Sequence, residues 1–274
     1  MLNHPPAVFS NNRWQTEWIG FLTLFHKEVA RFVRVAAQTL FSPLINALLY
    51  LIVFGLSFSA LLKTQQGFTY LEFLIPGLAA MAALNNSLQN SSSSVMVSKF
   101  HGDLQDIRLI PLSSTAIAAA YTLASIFRGV IVGMLVLILG EFVFYFKTGN
   151  SIQILHPGEL FVFLILGGAI FGNLGTWTGF ICKTFDQIHA VTNFVVLPLI
   201  YLGGVFFSIK IFHPVVQQIS AFNPLLYLIN GIRWSILGVS DIPIGFCLSL
   251  SLVFVAISCV IAWYSVRFGS YQRF

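Results

Sequence analysis

The chain has 274 residues, 57% of them hydrophobic and only 8% Asp, Glu, Lys or Arg, with a formal net charge of +5. Its mean hydropathy of +0.86 exceeds what a soluble core of this size requires, which excludes an ordinary soluble domain. The positive balance does not point to nucleic acid, because the cations flank apolar runs instead of forming a stripe or tail.

In chain order, the first element is a helix over 14–34. Trp18, Phe21, Phe25, Val29 and Phe32 recur at spacings of three and four, while Lys27, Arg31 and Arg34 fall on another face. That pattern describes a helix lying in the membrane interface, its apolar face in the acyl boundary and its cations near lipid phosphates. It is either a plain anchor or a surface against which a cytoplasmic partner presses. No cleavable signal precedes it, so the first span is expected to act as an uncleaved insertion signal.

Five stretches then carry no charge: 37–62, 73–98, 160–182, 187–209 and 242–266. Each exceeds the ~20 residues that cross a bilayer core. A sixth, 116–140, is interrupted only by Arg128. The expected fold class is therefore all-α: a polytopic integral membrane protein with six transmembrane helices. Residues 1–35 read as a cytoplasmic segment with the interfacial helix, and 36–274 as one transmembrane domain.

The second span is unusually polar, with Asn85, Asn86, Ser87, Gln89, Asn90 and the serines 91–94. Such residues either glue helices together by close packing and hydrogen bonds or form a wet wall for a polar part of cargo. Between the second and third spans, the loop 99–112 alternates Asp103, Asp106 and Arg108 with Leu104, Ile107 and Leu109 before Pro111. A short amphipathic helix follows from that alternation. Its length and its apolar residues suit a docking element for a soluble subunit better than a bare connection.

Arg128 in the third span is the costliest residue, at about 2.5–3.5 kcal/mol for insertion at mid-bilayer. It needs partners. Glu141 is about 20 Å away along the helix, so the amides of the second span and free carbonyls are the candidates. Structural locking and contact with an anionic cargo group both remain open for it. On the fourth span Gly168, Gly172, Gly175 and Gly179 share one face, the signature of close helix contact within or between subunits.

The stretch 211–232 is also uncharged, but Pro214 and the Asn223–Pro224 pair interrupt it. Proline breaks a helix, and freed backbone groups find no partners in lipid. The expected form is a re-entrant pair of short helices on the outer side, before the last span. With the N-terminus inside, nine cations fall on the inner side (Arg13, Lys27, Arg31, Arg34, Lys99, Arg108, Lys183, Arg267, Arg273) and four on the outer (Lys63, Lys147, Lys210, Arg233). Both termini are thus expected in the cytoplasm.

Several chemistries have no residues to carry them. There is no Gly-Lys pair and hence no phosphate-binding P-loop. The six His form no i, i+4 pair, and the three Cys lack metal-type spacing, so no metal site, disulfide framework or bound cofactor is expected. No catalytic constellation is visible. Glu72, Glu141 and Glu159 lie near span ends, which counts against a gradient-driven secondary transporter. A non-transporting scaffold is the remaining alternative.

The residues also resemble a family. The run 25–32 (FHKEVARF), Pro43, Leu49-Tyr50, Phe54-Gly55 and 73–78 (FLIPGL) are similar to the start of ABC-2-type transporter permeases. The set 183–186 (KTFD), 198–206 (PLIYLGGVF), 223–227 (NPLLY) and 231–233 (GIR) resembles the YadH-like branch. The resemblance covers essentially the whole chain and implies a permease subunit in a bacterial cytoplasmic (inner) membrane. Two copies would work with two copies of a separate ABC ATPase that binds ATP and Mg, in an exporter for lipid-like, amphipathic or glycan cargo.

On that resemblance Lys27, Glu28, Arg31, Lys99, Asp103, Leu104, Asp106 and Arg108 would contact the ATPase. Phe206, Phe207, Phe212, Asn223, Pro224 and Tyr227 would belong to an outer lid. Asn85, Asn86, Gln89, Asn90 and Arg128 are the candidates for the cargo path. This chain departs from many relatives in carrying Lys99-Phe100-His101 where they have an acidic start to the coupling loop. Joint replacement of Asp106 and Leu104 is expected to uncouple transport from ATP turnover.

Overall fold

The longest-buried element of the protein begins at Thr69, whose hydroxyl accepts from the Glu72 N–H at 3.4 Å while its own N–H donates to the Glu72 carboxylate at 2.6 Å. This reciprocal capping box starts helix α3 (Tyr70–His101), which ends at Gly102 with φ +88°, a left-handed conformation that glycine adopts without strain. The computed structural model describes residues 13–57, 67–109, 112–269 and 271. Around α3 stand α1 (Arg13–Arg34), α2 (Ala36–Tyr50, continued by a π-helical turn Leu51–Leu56), α4 (Asp103–Leu109), α5 (Ser114–Thr148) and α6 (Pro157–Ile181). Then follow α7 (Phe185–Val191), which runs through a second π-helical turn (Thr192–Val196) into α8 (Leu197–Leu202), and α9 (Pro214–Ser220), α10 (Pro224–Leu237) and α11 (Ile244–Phe268).

The chain is a polytopic all-α membrane protein. Five helical stretches are long and apolar enough to cross a bilayer: α3, α5, α6, Phe185–Leu202 and α11. Trp14–Arg34 and Thr39–Gly55 qualify together as a pair bent by 59°, giving as many as six. The end of the expected first span beyond Ser57, together with Lys63, Pro111 and Arg273, lies outside the described residues. The fifth span is shorter than the uncharged run 187–209, because Gly203 and Gly204 end α8.

Packing sorts the helices. The apolar window of α3 is 78% buried and that of α6 67%, against 17% each for Phe185–Leu202 and α11. So α3 and α6 are interior and the other two face outward. The glycine stripe of α6 explains how closely the interior helices approach. A Cβ at Gly168 or Gly172 would press on Ile126 or Ser125 of α5, and one at Gly175 or Gly179 on Leu88 or Val95 of α3. The stripe therefore serves contact within the subunit. Hydroxyls reinforce it: Ser91 Oγ donates to the Gly172 carbonyl at 2.6 Å and Ser87 Oγ to the Ser125 carbonyl at 3.0 Å.

The segment 211–232 is not one helix. Asn223 caps α10, its Oδ1 accepting from the Leu225 N–H at 3.0 Å while its Nδ2 donates to the Leu199 carbonyl at 2.6 Å. With 14 residues, α10 is about 21 Å long, short of the ~30 Å hydrocarbon core. It is buried on most sides against α3, α6 and α11, whereas the preceding segment turns Val215, Ile219 and Phe222 outward.

Gly175→Val is expected to lower stability by about 1–3 kcal/mol through overpacking, read as a lower midpoint of thermal unfolding in detergent. Gly158→Ala, where a Cβ meets open space, serves as the neutral control.

Candidate functional site

A groove of about 400 Å³ lies between α2 and α3, with Arg128 of α5 also lining it. Its polarity is graded along the helices. One end has Thr39 and Ser42 of α2 facing Asn85, Asn86 and Gln89 of α3; the other has Ala47 and Tyr50 facing Leu78, Met81 and Ala82. Asn46 lies near the change.

Arg128 is 5% exposed. One of its terminal nitrogens donates to Asn86 Oδ1 at 2.9 Å, so an amide of the second span is a partner. Its guanidinium lies 5.6 Å from the Phe32 ring of α1. The Nε of Arg128 and the Oδ1 of Asn85 are buried without a hydrogen-bond partner. One turn from Asn86, Asn90 faces differently. Its Oδ1 and carbonyl accept from Arg31 at 3.1 and 2.9 Å, and its Nδ2 donates to Ser125 Oγ at 3.2 Å. The structure thus divides the polar residues of α3. Asn85, Asn86 and Gln89 line the groove, while Asn90, Ser87 and Ser91 tie helices together.

At the end where α1 meets α4, several sequence expectations change. Arg31 does not lie among lipid phosphates: it pairs with the buried Glu28 at 3.2 Å and bonds to α3. The apolar side of α1 packs on protein through Leu24 and Phe32, while Trp14, Trp18 and Val33 are exposed. Leu104 and Ile107 are buried in one cluster with Leu24, Val95 and Ile117, because α4 lays its apolar side on the bundle. Leu104 is therefore not a partner-facing residue. Lys99 is not one either. It is 1% exposed, and its ammonium donates to the carbonyls of Phe180 at 2.5 Å and Cys182 at 3.2 Å, at the C-terminal end of α6. A cation there satisfies carbonyls that the helix leaves unpaired.

Beside those exposed apolar residues of α1, the outward residues around α4 are mostly polar. Lys27 and Asp103, each about half exposed, pair at 3.5 Å and join α1 to α4. Asp106 and Gln105 are exposed, and Phe100 is 64% exposed. The Arg108 side chain lies outside the described residues.

At the opposite end, Phe206 is buried and packs against Tyr50 and Phe54 of the first-span segment at 5.5 and 5.3 Å and Tyr201 of α8 at 5.6 Å. Phe207 faces Tyr70 at 6.3 Å, and the Tyr227 hydroxyl donates to the Ala221 carbonyl at 2.6 Å. Phe212 is partly exposed, as is Pro224 at the first position of α10. Sequence reasoning missed the strongest tie here. Arg233, counted as an outer flanking cation, is buried, stacks 3.7 Å from the Phe73 ring and donates to the Gly204 carbonyl at 2.8 Å. It also missed Thr39, Ser42 and Asn46, lone polar residues in an apolar run whose spacing of three and four was the available signal. Among the described residues no cluster of His, Cys, Asp or Glu suits a metal.

Comparison with known proteins gives these features a family. The model for the ABC-2 type transporter family matches residues 20–237. The chain is 32% identical over 252 residues to "Inner membrane transport permease YadH" of Escherichia coli K12, covering 92% of this chain and 96% of that one. The Shigella flexneri protein of the same name matches equally. "Nodulation protein J" of Azorhizobium caulinodans is 24% identical over 248 residues, covering 89% of this chain and 94% of its own.

Lys99→Met strips the donors from two carbonyls at the end of α6. A loss of about 1–3 kcal/mol is expected, measured as a lower unfolding midpoint with unchanged membrane insertion.

Proposed function

This chain belongs to the ABC-2 type transporter family and is a membrane-spanning transport subunit of an ABC transporter; from that premise we propose that it is the permease of an ATP-driven exporter in a cell inner membrane. Two copies pair with two copies of a separate ATPase, which binds ATP and Mg. A transport permease is not itself an enzyme, and in this reading hydrolysis belongs wholly to the partner. The "inner membrane" in the name of the Escherichia coli relative supports the location, and the excess of inner cations supports cytoplasmic termini.

The observation that carries the reading is the joint platform of α1 and α4. Two segments far apart in sequence share one apolar cluster and the Lys27–Asp103 pair. There α4 turns Asp106 and Gln105 outward, and Phe100 at the end of α3 is exposed as well. In this reading the ATPase presses on that face, with Asp103 and Asp106 as its polar contacts and Leu104 as the anchor beneath. Movement of α4 reaches α3 directly through Gly102, and α6 through the Lys99 bonds. It reaches the groove through Arg31 and Phe32, which touch Asn90 and Arg128.

Cargo that is lipid-like, amphipathic or glycan-bearing follows the groove toward the outer side. There Phe206 and the re-entrant pair α9–α10 form a lid held by Arg233. ATP shifts the permease between inward- and outward-facing forms only as far as the platform binds the closed ATPase better in one of them. Gradient-driven transport with no ATPase present would overturn this reading in favour of a secondary transporter. A complex without ATP-dependent efflux would favour a scaffold.

Asp106→Lys reverses an exposed charge and leaves the Lys27–Asp103 pair in place, so stability should stay within about 1 kcal/mol of wild type. In proteoliposomes holding the permease and its ATPase, efflux is expected to fall sharply while insertion is normal. Normal efflux sinks the docking assignment. Leu104→Ala is expected instead to cost about 2–5 kcal/mol of stability, because it empties a buried site.

A further inference from the structure

We propose that the polar end of the groove is a binding site for an amphiphile whose head group is anionic and carries a hydroxyl, with Arg128 as the residue that recognises the charge. The inference rests on the transport reading above and names the cargo class for the same groove.

Four observations carry it. First, Arg128 is a cation 5% exposed inside a spanning helix, and a charge in that setting is costly unless it is compensated. Second, compensation is incomplete. Among the described residues no carboxylate lies within ion-pair distance of Arg128, and the neighbouring Arg31 has already taken Glu28. Asn86 accepts one N–H, and Nε has no acceptor. A phosphate, sulfate or carboxylate matches the guanidinium fork and supplies the missing negative charge.

Third, the Asn85 side-chain oxygen Oδ1 is buried at the same groove without a donor. A hydroxyl on the head group fills that need, which a bare anion does not. Fourth, the volume of about 400 Å³ is of the size that holds a small ligand, and its far end is apolar where Ala47, Leu78 and Met81 face inward. A head at Arg128 thus places an alkyl tail against surface that water solvates poorly.

The full-length chain in neutral maltoside micelles provides the test, with radiolabelled lauroyl lysophosphatidate as probe. The expected result is saturable binding, displaced by unlabelled probe. Neither 1-lauroylglycerol, which keeps tail and hydroxyls but has no phosphate, nor glycerol 3-phosphate, which keeps the head but has no tail, should displace it. Displacement by 1-lauroylglycerol at equal concentration overturns the charge recognition. Displacement by glycerol 3-phosphate overturns the amphiphile class in favour of a soluble anion.

Arg128→Lys keeps the charge but loses the fork, and is expected to weaken binding about tenfold or more, the equivalent of one charge-assisted hydrogen bond. Asn85→Asp, which sets a carboxylate beside the site, is expected to abolish binding in a chain that still elutes as a single folded species. Unchanged affinity in both variants overturns the proposal. No ATPase or nucleotide is present, so a failure of ATP-driven export leaves this result standing. Charge-blind binding by a complex that does export sinks only the cargo class.

Discussion

In hydrocarbon a polar group has no water to fall back on, so every hydroxyl and amide of α3 has to find a partner within the protein or along a wet groove. Ser87 and Ser91 reach carbonyls on α5 and α6, Asn90 joins α1 to α5, and Lys99 holds the end of α6. The helix becomes the hub because its own side chains need so many neighbours. Close approach is the second half of the same constraint, since the Ser87 and Ser91 bonds form where Gly129 and Gly175 let the helices nearly touch. At the groove this mutual satisfaction is incomplete, and at the platform outward-facing polarity begins.

The two ends of the bundle are joined through a short chain of contacts. Phe32 and Arg31 sit on α1 within the platform and touch Arg128 and Asn90. Arg128 lines the groove whose apolar end includes Tyr50, and Tyr50 packs on Phe206. On either side of the groove the links are ring contacts or a charged hydrogen bond, which are stiff compared with exposed pairs such as Lys27–Asp103. The flanking elements are less regular. Both the first-span segment and the stretch leading into α8 contain a π-helical turn, a feature that often marks functional positions within helices.

Much of the architecture was legible from charge spacing alone, because the uncharged runs around α3, α6 and α11 can be nothing but spans in a chain of this hydropathy. Asn223–Pro224 declared the break before α10 by the same backbone logic, and Arg128 declared its need for an amide. The sidedness of side chains was not legible. Leu104 and Asp106 alternate in the sequence as an exposed amphipathic helix would, yet whether the apolar side meets a partner or the subunit itself depends on tertiary packing. Lys99 and Arg233 looked like flanking cations because both lie close to the ends of apolar runs. Lys99 binds a helix terminus some 80 residues distant in sequence, and Arg233 binds a phenyl ring some 160 residues distant together with the Gly204 carbonyl.

The length of α3 has one more consequence. Its 32 residues make a rod of about 48 Å, and even inclined by 40° it would rise about 37 Å through a hydrocarbon slab of ~30 Å. Part of that rod always projects beyond the hydrocarbon. A lever projecting beyond its fulcrum transmits displacement by rigidity, so a push applied at Gly102 would reach the bundle without relying on the electrostatics that physiological salt screens within about 8 Å.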